Sequence, residues 1–382
     1  MNISYLFASA QGDVPVKEET LTRPFFSSPL ETHPFLTLGD FFQAVENFVL
    51  RDGAHDLSGL LTRLWDRAVN PQEIDQILIR YEKYGSLYQM ASAEVLSCGH
   101  HAKFAVSAAL SSMAKTCLAH EFEILKELDH RFQLPFLPEP YFKDVILIEK
   151  GEASETFVMI LSEWFEGYHE WHFSGDDADE EGIVIWDLEQ GYRRGTVRET
   201  FETIRQATKI LTLYYDTETF QHIFPWHHGA GDFVVRTGEK GIDVRLVTVR
   251  GYDPAVSSDT GGWIDPLTAI TLFFLNMTVK MRLDKLEGMG EPVWAPAFIL
   301  PAVLDGFFEA LYLKEAEDDY HAGKIDGLIR LLRSLDEVTL RNRLHSLMLP
   351  YRQYDPVDSE IIKKHLEDHA RELHEAIQDM PR

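Results

Sequence analysis

Between residues 74 and 161 the chain sets β-type runs on either side of one helical stretch, and that order limits the fold more than any single motif does. Runs at 74–81, 87–96 and 104–110 have the composition of strands. Short turn segments join them, Lys83-Tyr84-Gly85-Ser86 and Ser97-Cys98-Gly99-His100-His101, so they read as an antiparallel meander. The stretch 114–128 then places Leu118, Phe122, Leu125 and Leu128 on one helical face. Two more strands, 145–148 and 156–161, lead into a linker, Ser162-Glu163-Trp164-Phe165-Glu166-Gly167.

The flanks read differently. Residues 1–36 carry Pro15, Pro24, Pro29 and Pro34 with no sustained period, which predicts an extended surface arm pinned by Phe25, Phe26 and Phe35. Two short helices follow at 40–50 and 57–68, the first with Phe41, Phe42, Val45, Phe48 and Val49 at helical spacing, the second closed by Pro71. Beyond the linker the chain reads as mainly helical. Thr196 to Glu199 has capping-box spacing, and Phe201, Ile204, Thr208, Leu211 and Tyr215 then form one inward stripe. Further helices are expected near 267–286, 297–313, 323–334, 336–348 and 358–377, with Pro350 and Pro356 separating the last from the body. The predicted organisation is an arm with two helices over 1–73, a β-rich lobe over 74–166 and a helical lobe over 167–382.

Composition narrows the partners. A chain of 382 residues with 45% apolar content can bury a sizeable core. A formal charge of −26 argues against a nucleic-acid groove or an anionic membrane as the main partner, since both favour a basic face. The run Asp176 to Glu181 reads as a solvated acidic loop. Cys98 and Cys117 are the two cysteines, so a disulfide framework is excluded and a reducing cytoplasm is the expected compartment. Residues 1–8 lack the basic flank and apolar core of a signal peptide. The most apolar helical stretch, 267–281, is interrupted by Thr268, Thr271, Asn276, Thr278 and Lys280 and reads as a buried helix.

Chemistry concentrates in one loop, Phe224-Pro225-Trp226-His227-His228-Gly229-Ala230-Gly231-Asp232-Phe233-Val234-Val235. Ahead of it lies the amphipathic segment 196–215, and behind it a short strand, a tight turn at 237–241 and a second strand at 244–249. This loop resembles the catalytic loop of the protein-kinase-like superfamily, in its aminoglycoside and small-molecule phosphotransferase branch. The resemblance spans roughly residues 74–350 and implies a two-lobed α+β fold, with an antiparallel sheet plus helix first and a mainly helical lobe second. It implies ATP or another nucleotide as ligand, with Mg²⁺, and a small-molecule acceptor.

A kinase-like site needs a cation for the phosphates, a carboxylate to orient that cation, a loop base, and Asn plus Asp to hold the metal. The family loop runs His-Gly-Asp-x-x-x-x-Asn before a short strand. Aligning Phe233-Val234-Val235 with that strand puts Asp232 at the metal-binding position and His227 at the base. A shifted register makes Asp232 the base and puts Thr237 at the metal position. Asp253 is the candidate second metal carboxylate, although Asp253-Pro254 also reads as an ordinary turn. Arg250 would repel magnesium and could bind a phosphate directly. Glu121 fits the helix carboxylate, Lys103 or Lys115 its cationic partner, and Glu163 with Phe165 the nucleotide-contacting linker. Gly85 stands alone in the first hairpin, so no glycine-rich loop cradles phosphates.

The lysine, the base and the second metal carboxylate all depart from the family pattern. Three readings follow: a pseudokinase that binds a nucleotide or small phosphorylated ligand or acts as a scaffold for a protein partner; an active atypical phosphotransferase; or a metal-dependent enzyme built on His100-His101 and His227-His228, with His169, His172 and His222. Adjacent residues in a strand face opposite sides, which weighs against either pair supplying two ligands to one ion.

Overall fold

The expected meander and the two later strands lie in one sheet. A computed structural model describes residues 1–9, 11–28, 31–85, 87–173, 182–187, 191–226, 231–239, 241–254, 265–285, 290–354 and 356–381. It divides into two compact units, Met1–Glu166 and a second made of Gly167–Asp187 with Gly191–Arg382. The architecture is mixed α+β.

In the first unit, strands Ile74–Tyr84, Gln89–Ser97, His100–Ala109, Ala153–Glu163 and Pro140–Lys150 stand side by side in that order, all antiparallel. The third and the last strand in this row are joined in sequence through helix Ser112–Phe132. Ser111 Oγ caps this helix by accepting from the Ala114 N–H at 3.2 Å, and Gln133 ends it in a left-handed conformation. Its residues Ala114, Leu118 and Phe122 pack with Ala109 and Ile160 on one face of the sheet. The larger core lies on the other face. There Phe41, Phe42, Val45, Phe48 and Val49 of helix Leu38–Val49, and Leu57 and Leu61 of helix His55–Trp65, meet Ile77, Ile79, Val95, Phe104 and Phe157.

The first part of the arm expected over 1–36 is instead part of this sheet. Strand Asn2–Phe7 runs parallel to Ile74–Tyr84, from Asn2 opposite Gln76 to Phe7 opposite Tyr81. Ile3 and Tyr5 pack against the core, and the Tyr5 ring stacks on Phe42 at 4.8 Å. Six residues of alternation beside a proline-rich stretch are too short a periodic signal to stand out in the sequence. Pro24–Ser28 and Glu31–Thr37 pair with each other as a further antiparallel ribbon.

The second unit is less purely helical than its sequence suggests. His169–Phe173, Ile183–Asp187 and Gly191–Arg194 join the expected hairpin, Phe233–Gly238 with Gly241–Leu246, in a five-stranded antiparallel sheet. The three added strands are short, and histidine, glutamate and arginine dilute their aromatic content. Helix Val197–Leu213 packs against the hairpin, where the Gln206 amide donates to Ile242 O at 2.7 Å and accepts from the Val244 N–H at 3.0 Å. Helix Leu300–Ala316 approaches that helix at Gly306, where a Cβ would lie 2.1 Å from Arg205 O. Pro266–Lys280, Ile325–Ser334, Glu337–Tyr354 and Pro356–Gln378 are further helices of this unit, and Leu283–Lys285 pairs with Pro292–Trp294 as a short ribbon. The break expected at Pro350 does not occur, since Glu337–Tyr354 runs through it. Pro356 begins the next helix, at a position whose backbone needs no donor. Among the described residues no helix is long and apolar enough to cross a membrane. The acidic stretch Asp176 to Glu181 lies outside the described residues.

Candidate functional site

The loop expected to carry chemistry is positioned by the helix before it and the hairpin after it. Thr196 and Glu199 form a reciprocal capping box at the start of Val197–Leu213. Past that helix, strand Gln221–Ile223 pairs with Tyr252–Pro254, setting His222 opposite Asp253. The Phe224-Pro225 bond is cis, and Trp226 is buried with its ring edge-on to Phe233 at 5.8 Å. His227 and His228 lie outside the described residues.

Gly231 brings the chain back with φ of 68°, and a Cβ there would lie 2.8 Å from the Glu170 carboxylate. Only glycine satisfies both the left-handed backbone and this close approach. Asp232 follows with no side-chain exposure, and its backbone carbonyl accepts from the Val247 N–H at 2.8 Å. Its two carboxylate oxygens each accept from Arg250, from Nη1 and Nη2, both at 2.6 Å. This is a forked, charge-assisted pair. Arg250 is aimed by its neighbour: Gly251 O accepts from the Phe224 N–H at 3.1 Å, and a Cβ on Gly251 would lie 2.5 Å from Phe224 O. The arginine expected to repel a metal or bind phosphate thus faces the carboxylate expected to hold the metal.

Asp253 is exposed on its short strand. Opposite it, His222 is buried, and burial lowers its pKa against the opposing influence of a hydrogen bond with Phe220 O and the Asp253 charge. Elsewhere in this unit His172 Nδ1 lies 3.4 Å from Asp284 Oδ1, and the Phe173 N–H donates to Asp284 Oδ2 at 2.7 Å.

In the first unit Lys103 reaches Glu82 Oε1 at 3.3 Å and sits over the Trp164 ring at 3.9 Å. Ser92 Oγ donates to the same Glu82 oxygen at 2.5 Å. Arg80 pairs with Glu94 and Asp13 at 2.7 and 2.8 Å, so this sheet face is a dense network of paired charges. Lys115, the other lysine considered, pairs with Glu155 at 2.9 Å. Glu121 is buried on helix Ser112–Phe132 at 4% exposure, while Glu123 pairs with Lys143. Glu163 ends its strand, its carboxylate accepting from the Glu139 N–H at 3.3 Å, and the half-buried Phe165 follows.

The histidine pair His100-His101 diverges. His100 packs on Trp65 at 5.3 Å, and His101 Nδ1 stands 3.9 Å from Glu94. Among the described residues no group of three metal-ligating side chains converges.

The second unit therefore brings together Asp232 and Arg250, which the sequence singled out separately, and adds Glu170 against Gly231. The first unit, taken by itself, pairs Lys103 with Glu82 and Trp164. The glycines at 231 and 251 were the available signal for close backbone approach; nothing in the sequence pointed to Glu170. Compared with known proteins, the chain matches no family model and no curated protein.

Proposed function

We propose that this chain is a two-lobed, kinase-like protein whose phosphotransfer machinery has been replaced, and that it binds a nucleotide or small phosphorylated ligand without magnesium. The Asp232–Arg250 pair carries this reading: a metal-holding carboxylate must present oxygen to a hard cation, and here both oxygens accept from a guanidinium. The row of five antiparallel strands, with a helix between the third and the edge strand, supports the kinase-like part. So does the helix, loop and hairpin order around Asp232. Lys103 supports loss of phosphotransfer, because its charge is committed to Glu82 and Trp164. Phosphoryl transfer depends on positioning and charge neutralisation, so losing the lysine and the metal carboxylates removes more than losing a base would.

The test is turnover. Purified protein with ATP, Mg²⁺ and a panel of small hydroxyl and amine acceptors should consume no ATP above a no-enzyme control. Clear turnover that disappears in Asp232→Ala would replace this reading with the active phosphotransferase.

A further inference from the structure

Among the described residues strand Pro140–Lys150 closes one end of the seven-stranded sheet, leaving one of its edges without a strand partner. Val145 and Leu147 on this strand are 58% and 52% exposed. They point to one face, the face on which Lys143 pairs with Glu123 of helix Ser112–Phe132. A long edge with exposed apolar residues is a template for pairing with another strand. The backbone shows which residues face outward. Lys143 O accepts from Arg51 Nη1 at 2.9 Å, and the Val145 N–H donates to Asp144 Oδ1 at 2.8 Å. Residues 143, 145, 147 and 149 therefore turn their peptide groups away from the neighbouring strand.

We infer that this edge joins two copies of the chain, through antiparallel pairing of Pro140–Lys150 with itself about a two-fold axis at Ile146. That register sets Val145 opposite Leu147 and Lys143 opposite Glu149, each twice by symmetry. It is self-complementary in both size and charge. Moving the axis to residue 147 would set Val145 against Glu149, and moving it to 145 would set Leu147 against Lys143. Glu149 is exposed and makes no ion pair among the described residues, so its charge is available to a second copy. Lys143 O has a second lone pair beside the one used by Arg51. Asp144, which also meets Arg51 Nη1 at 3.4 Å through Oδ2, has to release the Val145 N–H. The inference rests on this strand and is independent of what the protein binds.

Sedimentation velocity of the full chain over a dilution series tests it. The wild type should show a monomer–dimer equilibrium. Lys143→Glu and Glu149→Lys should each weaken the dimer by about tenfold or more, because each sets like charges opposite one another twice. An equal mixture of the two variants should dimerise again, since the carboxylate placed at position 143 of one copy then meets the ammonium placed at position 149 of the other. Glu149→Lys disturbs no ion pair within the described chain, so circular dichroism should match wild type and its effect reads association alone. A wild type that stays monomeric at every concentration, a dimer indifferent to both variants, or a mixture that fails to restore it would overturn the inference.

Discussion

Arg250 donates to both carboxylate oxygens of Asp232, at 2.6 Å each, and the two side chains differ in exposure: 20% for the arginine and none for the aspartate. A charge taken fully out of water depends on its partner, whereas a partly exposed one can turn toward solvent.

That asymmetry gives the first prediction. Arg250→Ala removes two charge-assisted hydrogen bonds from a carboxylate with no solvent access, and should cost about 3–5 kcal/mol. Asp232→Ala should cost less, because the guanidinium left behind reaches water. Urea unfolding of the two variants checks the order. An Asp232→Ala loss equal to or larger than that of Arg250→Ala would contradict it.

A second prediction concerns acid stability. His369 is buried on helix Pro356–Gln378, with Arg282 Nη1 at 3.2 Å from Nδ1 and Thr278 Oγ1 at 3.1 Å from Nε2. Arg282 can only donate, so Nδ1 accepts and the proton sits on Nε2, directed at Thr278. Burial, reinforced by the Arg282 charge, pushes the His369 pKa down to about 3 from 6.5. In the fold the ring stays neutral, while the unfolded chain takes up a proton below 6.5. Stability from this group is complete above that value and declines by about 1.4 kcal/mol per pH unit as pH falls toward 3. His369→Gln keeps one acceptor and one donor but does not titrate. Its stability should fall less steeply between pH 6.5 and 4 than that of the wild type; parallel profiles would rule this out.

The third prediction tests a packing contact. A Cβ on Gly306 would lie 2.1 Å from Arg205 O and 3.1 Å from Lys209 N, both backbone atoms of the neighbouring helix. Gly306→Ala should destabilise by about 1–3 kcal/mol or more, despite the better helix propensity of alanine. At Gly59, in helix His55–Trp65, nothing lies within 4 Å of the added carbon. There the same change should stabilise by about 0.5–1 kcal/mol. Denaturation midpoints of the two variants separate packing from propensity, and equal effects would contradict the helix contact.

Strong local periodicity made much of this fold legible. The strands from 74 to 109 and the helices at 38–49, 112–132 and 197–213 carry alternation or a helical stripe through most of their length. Asn2–Phe7 escaped because its pairing is with Ile74–Tyr84, some seventy residues away, and no local pattern encodes a parallel partner. His169–Phe173 escaped because its mixed composition suits a sheet whose two faces differ, a property set by tertiary context. At the site, residue types suggested Asp232 and Arg250 individually. Their pairing depends on how Gly251 seats against Phe224 O, which is geometry that no spacing rule conveys. Lys103 likewise found its partners in Glu82 and Trp164, one on another strand and one past the end of the sheet.

The measurement that bears most directly on the central claim is calorimetric titration of ATP and ADP into the protein, with Mg²⁺ and with EDTA. If Arg250 holds both oxygens of Asp232, binding should be weak and its dissociation constant the same under both conditions. Arg250→Ala should be the form in which magnesium begins to matter. Nucleotide binding to the wild type that strengthens tenfold or more with magnesium, about 1.4 kcal/mol, and loses that gain in Asp232→Ala would contradict the account.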